Sequence, residues 1–247
     1  MRTVAIVQAR LGSSRLPGKV LQDLGGDTML ARVVARLRAA RTIDDIVIAT
    51  TLEESDDPVI AEAARLGVQA WRGSEQNVLA RYIGAARKYH AGAVVRVTSD
   101  CPLLDPETID RVVTALRSAA VDYSSNTHAR MFPRGLDVEA FYLETLERIF
   151  RQATSAAARE HVTAYIMEKP GEFSIHQVTA DRDDSDLRWT VDTAEDLALV
   201  RTLFAELDLG NTLRPYRDVV AAVRARPELA DINAHITQKN WQDSHVA

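Results

Sequence analysis

One cysteine, Cys101, in 247 residues excludes an internal disulfide and is compatible with a reducing cytoplasm. No apolar run approaches the ~18 residues of a membrane helix, and no charged-then-apolar leader precedes the first apolar segment. Neither a membrane span nor a signal peptide is therefore expected. Positive charge is not in surplus: the formal net charge is −5, so bulk attraction to nucleic acid is not expected and any anion-binding patch must be local. Internal repeats, low-complexity segments and linkers are also lacking. These absences leave a soluble, cytoplasmic protein, long enough for one large domain or two small ones.

What is present is organised around Val4 to Leu21, V-A-I-V-Q-A-R-L-G-S-S-R-L-P-G-K-V-L. Val4 to Val7 is a short apolar run suited to a buried strand. It breaks at Gln8 and Ala9 into a loop with Gly12, Ser13, Ser14, Pro17 and Gly18, which also carries Arg10, Arg15 and Lys19. Backbone N–H groups, hydroxyls and cations at a strand end are the makings of a polyphosphate cradle. A solvated basic loop is the plainer reading. An ATPase-type phosphate loop is excluded, because five residues separate Gly12 from Gly18 and Lys19 is followed by Val20. A dinucleotide fingerprint is excluded by the lack of G-x-G-x-x-G.

Helical spacing follows over Met29 to Ala40, with Thr28 as N-cap, and Ile46 to Thr50 reads as a second buried strand. The alternation continues with a helix over Asp57 to Leu66, a strand over Val68 to Trp71, a helix over Glu75 to Tyr89 and a strand over Ala93 to Thr98. A helix over Pro106 to Ala119 has Pro in its first turn and Asp105 as a fitting cap. Strand and helix alternate four times, which predicts an α/β fold: a mostly parallel central sheet sandwiched by helices. Ligands of such sheets sit outside the carboxyl ends of the strands, where both the basic loop and Asp100 fall.

The second half is less regular. It predicts strands at Asp122 to Ser125, towards Phe141, at Phe173 to Thr179 and at Leu187 to Val191. Helices are expected over Leu143 to Arg151, Ala156 to Glu168, Thr193 to Leu207 and Tyr216 to Ala225. Residues 1–229 read as the α/β domain, and 230–247 as a polar tail with little periodicity.

Asp100 ends an apolar strand and suits Mg²⁺, which prefers one or two carboxylates with phosphates and water; capping is its alternative role. Asp192 has the same setting, with an N-cap role equally open. The acidic run 181–186 reads as a solvated loop. Arg159, Glu160 and His161 sit together at a predicted helix start, with His161 and Tyr165 on one face, and suit either an anionic substrate or plain structure. Arg134 and Asp137, around Gly135, suit either a polar ligand or an ordinary turn into a strand. Cys101, with no base beside it, reads as a packing residue.

Q-A-R-L-G-S-S-R-L-P-G-K (8–19), V-T-S-D-C-P-L-L (97–104), P-R-G-L-D-V-E-A-F (133–141), R-E-H-V-T-A-Y-I (159–166) and W-T-V-D-T-A-E-D-L (189–197) occur in this order. The set resembles the CMP-sugar cytidylyltransferase family over roughly residues 2–205. It lies nearer the spore-coat polysaccharide branch than the CMP-Kdo and CMP-acylneuraminate synthetases. The resemblance implies a nucleotide-diphospho-sugar transferase fold with a small projecting subdomain for dimerisation, CTP and a sugar acid as substrates, and Mg²⁺. It implies that Ala9, Arg10, Ser13, Ser14, Arg15 and Lys19 meet the nucleotide, with Arg72 and Ser74 nearby. Asp100 and Asp192 would hold the metal, and Lys19, Arg15 and Asp100 would serve catalysis. Arg134, Asp137, Arg159 and His161 would meet the sugar acid. Two rivals are a glycosyltransferase using a nucleotide sugar and a non-catalytic nucleotide-binding dimer. The first is disfavoured by S-D-C-P standing where an Asp-x-Asp would be expected, and the second by retention of Lys19 and both aspartates.

Overall fold

The computed structural model describes residues 1–169 and 171–238. Among the described residues, seven strands form one sheet: β1 (Thr3–Gln8), β2 (Asp45–Thr51), β3 (Gln69–Gly73), β4 (Ala93–Thr98), β5 (Tyr123–Ser125), β6 (Glu139–Tyr142) and β7 (Ile175–Gln177). Their order is β3-β2-β1-β4-β6-β5-β7. Only β6 runs against its neighbours β4 and β5; every other pairing is parallel.

The central strands are apolar at successive positions because both faces are covered, as parallel sheets require. In β1, Ala5 and Val7 pack on one face with α1 (Met29–Ala39), α2 (Asp57–Arg65) and, further along that face, α4 (Pro106–Ser118). Val4 and Ile6 point to the other face, which is covered by α3 (Val78–Lys88) and α5 (Leu143–Gln152). The helix caps are local: Thr28 accepts from the Ala31 N–H at 3.0 Å, and Asp105 from the Thr108 N–H at 2.8 Å.

Two secondary-structure expectations need correction. The helix over 156–168 is broken into α6 (Ala156–Glu160) and α7 (Ala164–Glu168). Val162, between them, has φ 55°, and the Thr163 hydroxyl turns away to Glu139 Oε1 at 2.6 Å. Arg159 and His161 therefore stand at the end of a short helix rather than at the start of a long one, and His161 and Tyr165 do not share one helical face. The segment 187–191 forms no strand. Its backbone bonds to turns on either side, with Arg134 N–H donating to Leu187 O at 2.9 Å and Val191 N–H to Asp100 O at 2.9 Å.

Beyond it lie α8 (Ala194–Glu206), α9 (Tyr216–Ala225) and α10 (Pro227–Asp231). The acidic run before it is not simply solvated. Asp184 is buried and pairs with Arg224 of α9 at 3.0 Å, and Asp186 takes the same guanidinium at 2.6 Å. Residues 239–247 of the expected tail lie outside the described residues.

Candidate active site

Gln8 of β1 and Thr98 of β4 are register partners, so the loops that follow them leave the same sheet edge side by side. Between them opens a cavity of about 290 Å³. Ala9, Arg10, Ser13, Ser14, Arg15 and Lys19 line it from one side, and Thr98, Asp100 and Asp192 from the other.

The basic loop folds on itself: Ser13 and Gly18 N–H groups both donate to Leu11 O, at 2.8 and 3.0 Å. Gly18, with φ 69°, allows the chain to turn into the short 3-10 segment Lys19–Leu21. That turn buries Lys19. Its Nζ donates to Asp100 Oδ2 at 2.8 Å, Asp192 Oδ1 at 2.9 Å and Val191 O at 2.6 Å. Burial alone would lower the Lys19 pKa, but Asp100 and Asp192 outweigh it and the net shift is upward. Burial would likewise raise the Asp192 carboxyl. Lys19, Arg15 and Arg188 hold it below the ordinary carboxylate range instead.

Asp192 is not the cap of α8. Thr193 takes that role, accepting from the Asp196 N–H at 3.3 Å in a capping box. The Asp192 side chain is thereby left for the cavity, where Arg15 Nη2 meets its Oδ2 at 3.0 Å. On the far side, Asp100 Oδ1 accepts from the Thr98 hydroxyl at 2.5 Å. Cys101 behind it is buried, and burial pushes its thiol well up, in keeping with packing rather than nucleophilic chemistry.

Two carboxylates converge on the Lys19 ammonium, and no group of three or more His, Cys, Asp or Glu side chains suited to a metal occurs among the described residues. That donor set fits a hard cation completing its shell with phosphate and water, and it does not fit structural zinc.

Arg10 excepted, the other expected site residues lie outside the cavity lining. Arg10 lines it but leans to Glu75 at 2.8 Å. Arg72 pairs with Asp57 and donates to Glu53 O at 3.2 Å, bracing the turn after β2. The Ser74 hydroxyl accepts from the Asn77 N–H at 3.0 Å. Asp137 is gripped at both oxygens by Arg130, at 2.5 and 2.8 Å. Arg159 stands over the Phe150 ring at 5.7 Å, and the His161 carbonyl accepts from the Thr163 N–H at 2.5 Å. Arg134 is half-buried with no ion pair among the described residues. Burial and neighbouring Arg130 lower its pKa, while Asp137 and Asp192 raise it.

Sequence reasoning missed Arg81 and Arg188. Arg81, on the buried face of α3, lines the cavity and donates to the Ser74 carbonyl at 2.9 Å. Its signal was an arginine set among Val78, Leu79, Tyr82 and Ile83. Arg188 precedes the W-T-V-D motif and carried no local signal.

The mostly parallel sheet flanked by helices, with a cationic loop and two acidic side chains at its carboxyl edge, has the nucleotidyltransferase-type α/β fold. The chain belongs to the cytidylyltransferase family, whose model matches residues 4–211. Over 205 residues it is 35% identical to the spore coat polysaccharide biosynthesis protein SpsF of Bacillus subtilis, covering 81% of this chain and 85% of that one. Over 244 residues it is 33% identical to the 3-deoxy-manno-octulosonate cytidylyltransferase of Anaeromyxobacter dehalogenans, covering 83% of this chain and 99% of that one. A solved cytidylyltransferase from Leptospira borgpetersenii superposes with a TM-score of 0.89 at 30% identity, covering 97% of this chain and all of that one.

Proposed function

We propose that this enzyme transfers CMP from CTP to the anomeric hydroxyl of a sugar acid, releasing pyrophosphate, for surface-polysaccharide synthesis. The observation that carries the reading is the meeting of Lys19 with Asp100 and Asp192 under the Arg10–Lys19 loop. The acceptor oxygen bonds to the α-phosphorus, the bond to the β-phosphate oxygen breaks, and the hydroxyl proton is released. Such a transfer asks the protein mainly for positioning and charge neutralisation. Loop N–H groups, Ser13 and Ser14 would orient the triphosphate, and Arg10, Arg15 and Lys19 would offset charge building on the departing pyrophosphate.

Asp100 and Asp192 would hold Mg²⁺. When bound, it supplies positive charge at the α-phosphate and favours ionisation of the attacking hydroxyl. Support for an acidic acceptor comes from Arg134, a half-buried guanidinium without an ionic partner among the described residues, which suits a carboxylate. The name of the Anaeromyxobacter relative points the same way.

The test is a pyrophosphate-release assay with CTP, UTP, GTP and ATP across a panel of 2-keto-3-deoxy sugar acids. Release is expected with CTP and one or more acids. No combination exceeding a Lys19→Ala control would overturn the reading.

A further inference from the structure

Asp192 ends a segment that has no sheet ladder to hold it, so its carboxylate must be aimed by other contacts. Arg188 supplies one, with Nη2 donating to Asp192 Oδ2 at 3.0 Å. The same guanidinium is locked by Asp196, which is fully buried. Asp196 Oδ1 accepts from Arg188 Nε at 2.9 Å, and Oδ2 from Nη2 at 3.0 Å. Asp196 Oδ2 also takes the backbone N–H groups of Asp192 at 2.9 Å and Thr193 at 3.0 Å. Asp196 thus holds both the backbone of Asp192 and the arginine that steers its side chain.

The outer bonds of this assembly come from far along the chain. Buried Asn233 donates through Nδ2 to Asp196 Oδ1 at 2.8 Å and to Arg188 O at 3.0 Å. Gln238 Oε1 accepts from Arg188 Nη1 at 2.5 Å. Both lie beyond residue 211, where the family match ends.

We propose that Asn233, acting through Asp196 and Arg188, is a positioning residue for the Asp192 carboxylate, so that the segment after α10 is part of the working site. The proposal rests on the reading that Asp100 and Asp192 take up a divalent cation. Contacts behind a metal-binding carboxylate fix its direction, and losing one commonly weakens metal binding about 10–100-fold. A purely structural Asn233 would instead tie α10 to the body and affect stability alone.

The experiment titrates the full-length protein with Mn²⁺ in the presence of CTP, followed by electron paramagnetic resonance, alongside thermal unfolding. Wild type, Asp192→Asn, Asn233→Ala, Arg188→Lys and Leu229→Ala are compared. Leu229 is a buried apolar anchor of α10 and serves as the stability control. Asn233→Ala and Arg188→Lys are expected to weaken Mn²⁺ binding roughly tenfold, while Leu229→Ala lowers Tm and leaves affinity unchanged. Wild-type affinity in Asn233→Ala overturns the proposal, and if that variant does not fold, Arg188→Lys decides on the same criterion.

If wild type shows no Mn²⁺ binding that Asp192→Asn removes, the metal reading fails. The positioning claim is then judged on a crystal structure of Asn233→Ala, or of Arg188→Lys if needed. Loss of the Lys19–Asp192 hydrogen bond supports the claim, and its retention overturns it.

Discussion

Lys19 Nζ carries three N–H donors and has three acceptors around it: Asp100, Asp192 and the Val191 carbonyl. A compact ammonium can satisfy all three, whereas a planar guanidinium directs its donors along a fixed fork. Lys19→Ala is therefore expected to lower kcat by about 10²–10³-fold, with a much smaller change in KM for CTP, and Lys19→Arg is not expected to rescue it. Steady-state pyrophosphate release with CTP varied checks this. A raised KM at unchanged kcat would assign Lys19 to ground-state binding instead. That residues 10, 13–15, 19 and 100 would gather at one edge of the sheet was legible in the sequence. Their partners were not: Lys19 meets a carboxylate 81 positions away and another 173 away. Arg188 had no signal, because its role is defined by Asp192 and Asp196 only once α8 is in place.

The basic loop is an element held from outside itself. Leu11 N–H donates to Asp56 Oδ1 at 2.7 Å, and Asp56 also accepts from the Thr51 hydroxyl at the end of β2. Burial would raise the Asp56 carboxyl, but these bonds outweigh it and leave it below the ordinary carboxylate value. A depressed folded-state pKa stabilises the protein above the unfolded-state value, about 3.9 for Asp, and that contribution fades as pH falls through the folded-state value. Asp56→Asn is expected to cost about 2 kcal/mol at pH 7, with the gap from wild type narrowing below about pH 4. Urea unfolding at neutral and acid pH measures it; a gap independent of pH would rule out the carboxylate as the anchor. Elements of strong periodicity, such as β1, α1 and α4, were legible because their burial pattern is local. The break between α6 and α7 was not, since Thr163 is drawn off by Glu139, 24 residues away.

Across the whole molecule, the antiparallel step from β4 to β6 is joined by a part-buried ion pair. Arg96 of β4 and Glu139 of β6 are register partners and bond directly, with Tyr123 of β5 adding its hydroxyl to Glu139 at 2.5 Å. Burial would lower the Arg96 pKa, but Glu139 outweighs it and the net shift is upward. Glu139→Ala leaves a part-buried guanidinium without its carboxylate, and a loss of about 3–5 kcal/mol is expected. The Arg96→Met/Glu139→Leu double variant should lose less than the two single changes added together. Denaturant unfolding of the cycle tests this, and strict additivity would show that the pair is not coupled. The sequence by itself determined the alternation of strands and helices, the sheet edge bearing the loaded loops, and the kinds of side chain delivered there. Only the tertiary structure decided that Asp100 and Asp192 close on Lys19, that 187–191 threads between turns instead of joining the sheet, and that Asn233 reaches back to the same corner. Periodicity and capping act over a few residues, whereas these contacts depend on how the crossovers and the carboxyl-terminal helices pack, which no local pattern encodes.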